Sequence, residues 1–286
     1  MILPGNHDYD NDMIELWDTF QKNAGDKTIF LNREAPVALT DYGLDATVYP
    51  APCHSKHSAA NNIGWISEQE VNHQHINIGI AHGSLQGLSP DMDSSYFFMT
   101  LQELENLPLD VWLLGHTHVA YPANESTKDW KVFNPGTPEP DGLDCRHHGH
   151  AWIINLDEQK RITANLIPTG TYRFLDENHT ITDSDDLDRL QANLLKDRPE
   201  TTIARIRLAG RVPEYTYRYR KEVINTLEQK LACLIVDDFN LGVKITPEKI
   251  SQEFTQGSFP QQFLAALSDD EDAMEIAYEL IMGVRK

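Results

Sequence analysis

The sequence predicts an α/β protein with a first domain over residues 1–167, a small α/β cap over 168–246 and a helical tail over 247–286. In the first part, short apolar runs bounded by glycine alternate with helical stretches, which is typical of strands covered on both faces. After residue 168 an alternating strand, a long helical stretch and another strand follow one another. From residue 247 the chain is acidic, with a broken apolar stripe at helical spacing.

The first domain is predicted to begin with a buried strand end at 1–3 and a helix over 13–20 capped by Asn11 or Asp12. Strands near 35–39 and 46–49 and a helix from Ile63 follow. The remaining predicted elements are a strand at 76–80, a helix at 100–107, a strand at 111–114 and a hairpin of 151–156 with 162–167. The cap contributes a strand at 201–208, a helix over 215–234 and a strand at 240–245. A β-α-β unit is the simplest reading of that order.

Composition indicates a globular protein. The chain has 286 residues and 40% hydrophobic content, which is enough for a substantial core. No apolar run approaches the ~20 residues that span a bilayer, and the N-terminus lacks a basic leader, so we expect a cytoplasmic protein without membrane contact. The cysteines Cys53, Cys145 and Cys233 are widely separated and odd in number, which argues against a disulfide framework.

The formal charge of -20 opposes a nucleic-acid role, because phosphate contacts need a basic surface. The charge is uneven, however. Acidic residues crowd 183–188 and 269–279, whereas Glu214 is the only acid between residues 205 and 221. This stretch, the basic strip, consists of Arg205, Arg207, Arg211, Arg218, Arg220 and Lys221. It is either a DNA-binding surface or an ordinary solvated face.

Three polar blocks follow predicted strands of the first domain: Gly5-Asn6-His7-Asp8, Ala81-His82-Gly83 and Gly115-His116-Thr117-His118. Open α/β sheets place their sites at the carboxyl ends of strands, so we expect these blocks to share one edge. The amide oxygen of Asn6 and the imidazoles of His82, His116 and His118 suit divalent transition metals better than calcium.

The order of these blocks resembles the third, fourth and fifth signature blocks of the calcineurin-like metallophosphoesterases. The resemblance implies an α+β sandwich in which Asn6, His82 and His116 bind one metal ion and His118 binds another. It also implies that His7 is the general acid that protonates the leaving oxygen. Asp8 would orient His7 by accepting its other ring N–H.

Two earlier family blocks, Asp-x-His and Gly-Asp-x-x-Asp, supply the carboxylates of the two-metal centre, and here Met1 lies four residues before Gly5. The resemblance therefore implies a domain missing its first β-α-β portion. All four remaining ligands are neutral, so we expect at most one weakly bound ion in place of two divalent ions, normally manganese. A misplaced start, a split gene or a decayed pseudoenzyme could explain this; we favour a truncated version of an active ancestor.

The run Asn134-Pro135-Gly136-Thr137-Pro138-Glu139-Pro140, followed by Gly149-His150-Ala151-Trp152, resembles the SbcD-like DNA repair exonucleases, including their YhaO-type bacterial relatives. This resemblance implies manganese-dependent phosphodiester hydrolysis on DNA. It implies further that the cap guides DNA, that the tail docks on an SbcC-like coiled-coil ATPase, and that the helix from Asp12 to Phe20 contributes to a possible homodimer.

Other features leave alternatives open. Lys56, His57, His147, His148 and His150 could border the substrate path, or the three later histidines could bind a metal. A small-molecule phosphodiesterase of the same superfamily and a non-catalytic scaffold that binds the ATPase are the competing functions.

Overall fold

A computed structural model describes the chain over residues 1–11, 13, 15–88, 94–124, 126–145 and 147–284. The chain divides into two compact units, Met1–Tyr172 and Arg173–Lys286. Asp12, one of the two predicted helix caps, lies outside the described residues; the other, Asn11, accepts a hydrogen bond from the backbone N–H of Met13. The limits predicted for the cap and the tail stay predictions.

Two sheets form the described part of the first unit. Its strands are β1 (Val37–Ala38), β2 (Ala46–Ala51), β3 (Ile76–His82), β4 (Val111–Gly115), β5 (Ser126–Lys128), β6 (Val132–Phe133), β7 (His150–Leu156) and β8 (Ile162–Pro168). The larger sheet has the order β1-β2-β3-β4-β6, with β1 antiparallel to β2 and the other neighbours parallel. The smaller, antiparallel sheet has the order β5-β8-β7.

The two faces of the larger sheet are covered differently. One face packs on α2 (Leu101–Asn106) and on a 3-10 helix, Gly64–Glu68, through a cluster that includes Trp112 and Leu114. The other face, through Val111 and Leu113, packs on the smaller sheet. Helix α1 (Glu15–Asn23) precedes β1, and a short 3-10 helix, Thr40–Tyr42, lies between β1 and β2. The predicted α/β sandwich is therefore confirmed.

The second unit is built on three parallel strands, β9 (Arg173–Thr180), β10 (Thr202–Val212) and β11 (Cys233–Val243), in the order β11-β10-β9. Its helices are α3 (Ser184–Leu194), α4 (Glu214–Lys230), α5 (Pro247–Glu253), α6 (Phe259–Ala266) and α7 (Glu271–Val284), with a 3-10 helix at Pro199–Thr201. Helices α3 and α4 share a core with the sheet. Helices α5 to α7 form a second core around Ile250, Phe254 and Leu264.

The predicted hairpin and the β-α-β unit are confirmed, and two local predictions are wrong. Only Ile2 of residues 1–3 pairs, in a single bridge to Phe30, and both Met1 and Ile2 are exposed. The helix predicted over 215–234 ends at Lys230, because the chain turns into β11 at Cys233. The acidic run at 183–188 begins helix α3, where the Asp183 side chain accepts hydrogen bonds from the backbone N–H groups of Asp185 and Asp186.

Candidate metal centre

The register of two parallel strands brings His82 and His116 to one edge of the larger sheet. In the β3–β4 pair His82 lies opposite Gly115, so His116 is the first residue beyond the pairing. Both imidazoles stand at the carboxyl ends of their strands, where open α/β sheets form their sites. The strand and loop order predicted from the sequence thus produces the expected neighbours.

Asn6 lies between the two imidazoles. Its Oδ1 atom is 3.0 Å from His82 Nε2 and 3.3 Å from His116 Nδ1, and the two ring centroids are 5.4 Å apart. The Asn6 side chain is only 1% exposed, and within the described residues its Nδ2 atom has no hydrogen-bond partner. A buried amide with one unsatisfied end is costly, which is a common mark of a site built for a ligand.

Glycines shape the space around the His82 ring. A Cβ atom on Gly5 would come within 2.7 Å of His82 Cε1, and one on Gly115 within 3.0 Å of His82 Nδ1. Position 116 carries a further constraint, since His116 has a φ of 100°, which non-glycine residues rarely adopt. Strain of this kind is retained where the surroundings hold a side chain in a functional position.

Burial keeps the His82 imidazole neutral. Desolvation, and after it the nearby His116, lowers the pKa of His82 to about 4, although Asp8 acts in the opposite direction. A neutral imidazole retains the lone pair that a metal ion requires.

The loop that carries Asn6 and His7 is fixed by Asp8. The Asp8 carboxylate accepts a hydrogen bond from the backbone N–H of Gly5 at 2.9 Å, and the Asp8 carbonyl accepts one from Trp17 Nε1 at 2.6 Å. The His7 side chain is exposed. Within the described residues no hydrogen bond joins the side chains of His7 and Asp8, so the orienting role of Asp8 stays a prediction.

His118 has a partner that the sequence did not reveal. Its Nδ1 atom lies 2.5 Å from Asp141 Oδ2, and the other oxygen, Oδ1, accepts a hydrogen bond from Cys145 Sγ at 2.9 Å. The hydrogen bond from Cys145, and after it the charge of His118, holds the pKa of Asp141 below its usual value, against the effect of burial. No spacing in the sequence links residue 141 to residue 118; only the folded loop does.

The donor atoms fit one divalent ion better than two. The separations of 3.0 Å and 3.3 Å match the roughly 3 Å expected between neighbouring ligands when metal–ligand bonds are about 2.1 Å. In the part of the chain that the structure describes, no group of three or more His, Cys, Asp and Glu side chains is arranged to hold a metal. Asn6, His82 and His116 thus bring three neutral donor groups together, and none of them is the carboxylate that a metal pair needs.

Aromatic side chains border this centre. The Tyr96 ring stacks on His116 with centroids 5.4 Å apart, and the His57 and Tyr96 ring centroids are 4.8 Å apart. Of the later histidines, His147 and His150 have ring centroids 6.0 Å apart. Tyr96 was not anticipated, because a lone tyrosine in a loop carries no pattern.

An apolar cavity of about 710 Å³ lies between the two sheets of the first unit and reaches His82 and Gly115. Its wall includes Ile78, Ile80, Leu113, Trp152, Ile154 and Leu156.

Carboxylates pair with most of the basic strip. Asp176 binds Arg205 at 2.5 Å and Arg207 at 2.7 Å. Arg211 lies 2.5 Å from Glu275, and Arg218 pairs with Glu214.

Arg220 differs from the other residues of the strip. Its side chain is 10% exposed, lies 2.8 Å from Asp238 and covers the Tyr217 ring at 3.6 Å. It therefore joins α4 to β11 as part of the packing and is poorly placed for a phosphate. Lys221 is exposed. DNA binding by the strip stays a prediction.

Residues 1–120 match the family model of the calcineurin-like phosphoesterases. This segment is therefore similar to a class of hydrolases that normally bind divalent metal ions. No curated protein matches the chain. None of the described helices has the length and apolar character needed to cross a membrane.

Proposed function

We propose that the chain is the nuclease subunit of a DNA repair exonuclease and hydrolyses phosphodiester bonds in DNA with the help of manganese. The observation that carries this proposal is the convergence of Asn6, His82 and His116 at one sheet edge of a phosphoesterase domain. The SbcD-like runs at 134–140 and 149–152 favour DNA over a small phosphodiester.

Each residue has a proposed role. Asn6, His82 and His116 hold one ion, and His118 contributes to the second. When bound, divalent ions supply Lewis-acid activation of the phosphate and of the attacking water. His7, exposed beside the site, gives a proton to the departing oxygen.

We propose further that this chain alone is nearly inactive. Its proposed metal ligands are neutral, and neutral ligands leave the mutual repulsion of two divalent ions uncompensated. Carboxylates from a preceding segment or a second polypeptide would complete the centre.

The test compares the chain alone with a chimaera in which the first two blocks of an SbcD-like nuclease precede Met1. Calorimetry with Mn²⁺ should give at most one weak site for the chain alone and two tight sites for the chimaera. Cleavage of DNA should appear only in the chimaera. Two tight sites in the chain alone would contradict the proposal, as would an inactive chimaera that binds both ions; cleavage of a small phosphodiester but not of DNA would favour the competing enzyme.

The tail is proposed to dock on an SbcC-like coiled-coil ATPase. Helices α6 and α7 expose large apolar side chains, namely Phe259, Phe263, Ile276 and Leu280, and the rings of Phe259 and Phe263 stack at 5.6 Å. This exposed face also favours the second candidate function, a scaffold that binds the ATPase without cleaving DNA.

The double substitution Phe259→Ser and Phe263→Ser should abolish capture of that ATPase. Gln262→Ser, on the same helix, is the control. We prefer these substitutions to removal of the whole tail, because Leu264 and Phe254 belong to a core of the second unit. Unchanged capture by the double variant would contradict docking.

DNA binding by the second unit is proposed to use Arg218 and Lys221, the exposed residues at the C-terminal end of the basic strip. Arg218→Glu and Lys221→Glu should each weaken DNA binding by the chimaera. Each lost phosphate contact should lower the log-log salt slope by about 0.7–0.9. If the salt slope is unchanged, these residues do not contact DNA phosphates and the strip instead stabilises the second unit.

Two further proposals concern the assembly and the compartment. Leu16 on α1 and Met13 beside it are exposed, which favours a homodimer through this helix. Leu16→Lys should then shift the chain to a monomer in analytical ultracentrifugation.

The proposed compartment is the cytoplasm. The three cysteines are free, as is usual there.

A further inference from the structure

The loop after Pro140 brings a carboxylate to His118, the residue to which the proposed function assigns the second metal ion. The contact joins His118 Nδ1 to Asp141 Oδ2 at 2.5 Å, and the two side chains are 62% and 42% exposed. Two exposed side chains hold such a geometry only when their backbones are fixed, because an unsupported surface pair gains little.

The backbone of this loop is fixed to the His118 loop at its start. Tyr121 and Asn134 exchange two backbone hydrogen bonds of 2.8 Å. The next turn lies directly on His118, since a Cβ atom on Gly136 would come within 2.8 Å of the His118 carbonyl oxygen. Gly136 has a φ of 71°, so glycine suits both the conformation and the space.

The loop is also fixed just before Asp141. The Glu139 carboxylate accepts hydrogen bonds from the backbone N–H groups of Thr171 at 2.7 Å and Tyr172 at 3.1 Å. The Thr169 hydroxyl donates to the Pro138 carbonyl at 2.7 Å. The backbone just before Asp141 is therefore held in place, and the Asp141 Oδ1 atom accepts a hydrogen bond from Cys145 Sγ.

We propose that Asp141 is a positioning residue for His118. By accepting a hydrogen bond from Nδ1–H, it selects the tautomer in which Nε2 carries the lone pair. A carboxylate that accepts the second N–H of a ligating histidine fixes the ring and raises its basicity, and its loss typically lowers metal affinity about 10–100-fold. Asp141 thereby brings a negative charge into contact with a ligand set that is otherwise neutral.

The tautomer can be read directly from nitrogen chemical shifts of the metal-free chain, at a pH where the ring is neutral. His118, assigned by the signal lost in His118→Gln, should carry its proton on Nδ1. Asp141→Ala should remove that preference, whereas Asp141→Asn, which keeps an acceptor oxygen, and Asp144→Ala, on the same loop, should retain it. A proton on Nε2 in the unmodified chain, or an unchanged spectrum in Asp141→Ala, would overturn the proposal.

Titration of the chimaera with Mn²⁺ provides the second readout. Asp141→Ala should weaken one of the two sites about 10–100-fold, and Asp144→Ala should not. Adding Asp141→Ala to His118→Ala should have no further effect, because the carboxylate acts through the ring. If His118→Ala itself leaves both sites intact, the assigned metal ligand is wrong; if only Asp141→Ala is silent, the positioning role alone fails.

Discussion

The candidate metal centre and the basic strip differ in how far their polar side chains are paired within the protein. At the centre, Asn6 is buried and His82 is half-buried; among the described residues, Asn6 Nδ2 has no hydrogen-bond partner and the His82 ring bonds to the Asn6 amide oxygen, not to a carboxylate. In the strip, one carboxylate, Asp176, satisfies both Arg205 and Arg207. The centre thus retains a buried polar group without a hydrogen-bond partner among the described residues, whereas most arginines of the strip are paired with carboxylates.

This difference distinguishes polar groups that can bind a ligand from polar groups that stabilise the fold. Groups that a fold leaves unsatisfied are available to a ligand, and groups that it pairs internally mainly support the fold. A count of basic residues in the sequence could not distinguish these cases. The partners of Arg205, Arg207 and Arg220 lie on other strands, Asp176 on β9 and Asp238 on β11.

The largest effect that this comparison predicts is catalytic. In the chimaera, His7→Ala should lower the rate of DNA cleavage about 100–10,000-fold, because a general acid acts on the leaving group. Its Mn²⁺ content should be unchanged, since His7 is not a ligand. His82→Ala should lose metal and activity together. Equal metal loss in the two variants would show that the acid has been misassigned.

The next effect concerns stability. Arg220→Ala should lower the free energy of unfolding by about 2 kcal/mol, because it removes a nearly buried hydrogen bond and the packing on Tyr217. Arg218→Ala, two residues earlier on α4 and 78% exposed, should cost less than about 0.5 kcal/mol. Urea denaturation measures both. Similar losses would mean that burial does not separate the two arginines.

The smallest effect is a dependence on acid. Arg205, and after it Arg207, holds the pKa of Asp176 well below its usual value. This carboxylate therefore adds stability that is complete above the unfolded pKa of about 3.9 and is lost as the pH falls toward the lower folded pKa. Asp176→Asn should flatten that acid limb in denaturation curves, and Asp197→Asn, an exposed acid beside Arg173, should not.

Short-range patterns predicted the site better than they predicted the second unit. His82 and His116 follow glycine-bounded apolar strands, so their shared edge could be expected. Strand β9 was not predicted because residues 173–180 are largely polar and acquire their structure by pairing with β10. Helix α3 had a readable signal, since Asp183 is a favourable cap and Leu187, Leu190 and Leu194 follow at helical spacing.

The contact of Asp141 with His118 marks the limit of sequence reasoning. It depends on a glycine that accepts a positive φ at position 136 and on a glutamate that ties the loop to residues 171 and 172. Such anchoring connects positions far apart in the chain and leaves no periodic trace.

The apolar cavity between the two sheets has a practical consequence for solution work. At about 710 Å³ it falls within the range of small-molecule pockets and is lined mainly by aliphatic and aromatic side chains. A hydrophobic dye should therefore bind and fluoresce before the protein unfolds. Dye-based melting curves would begin from a bright native state, so the unfolding transition is better followed by circular dichroism.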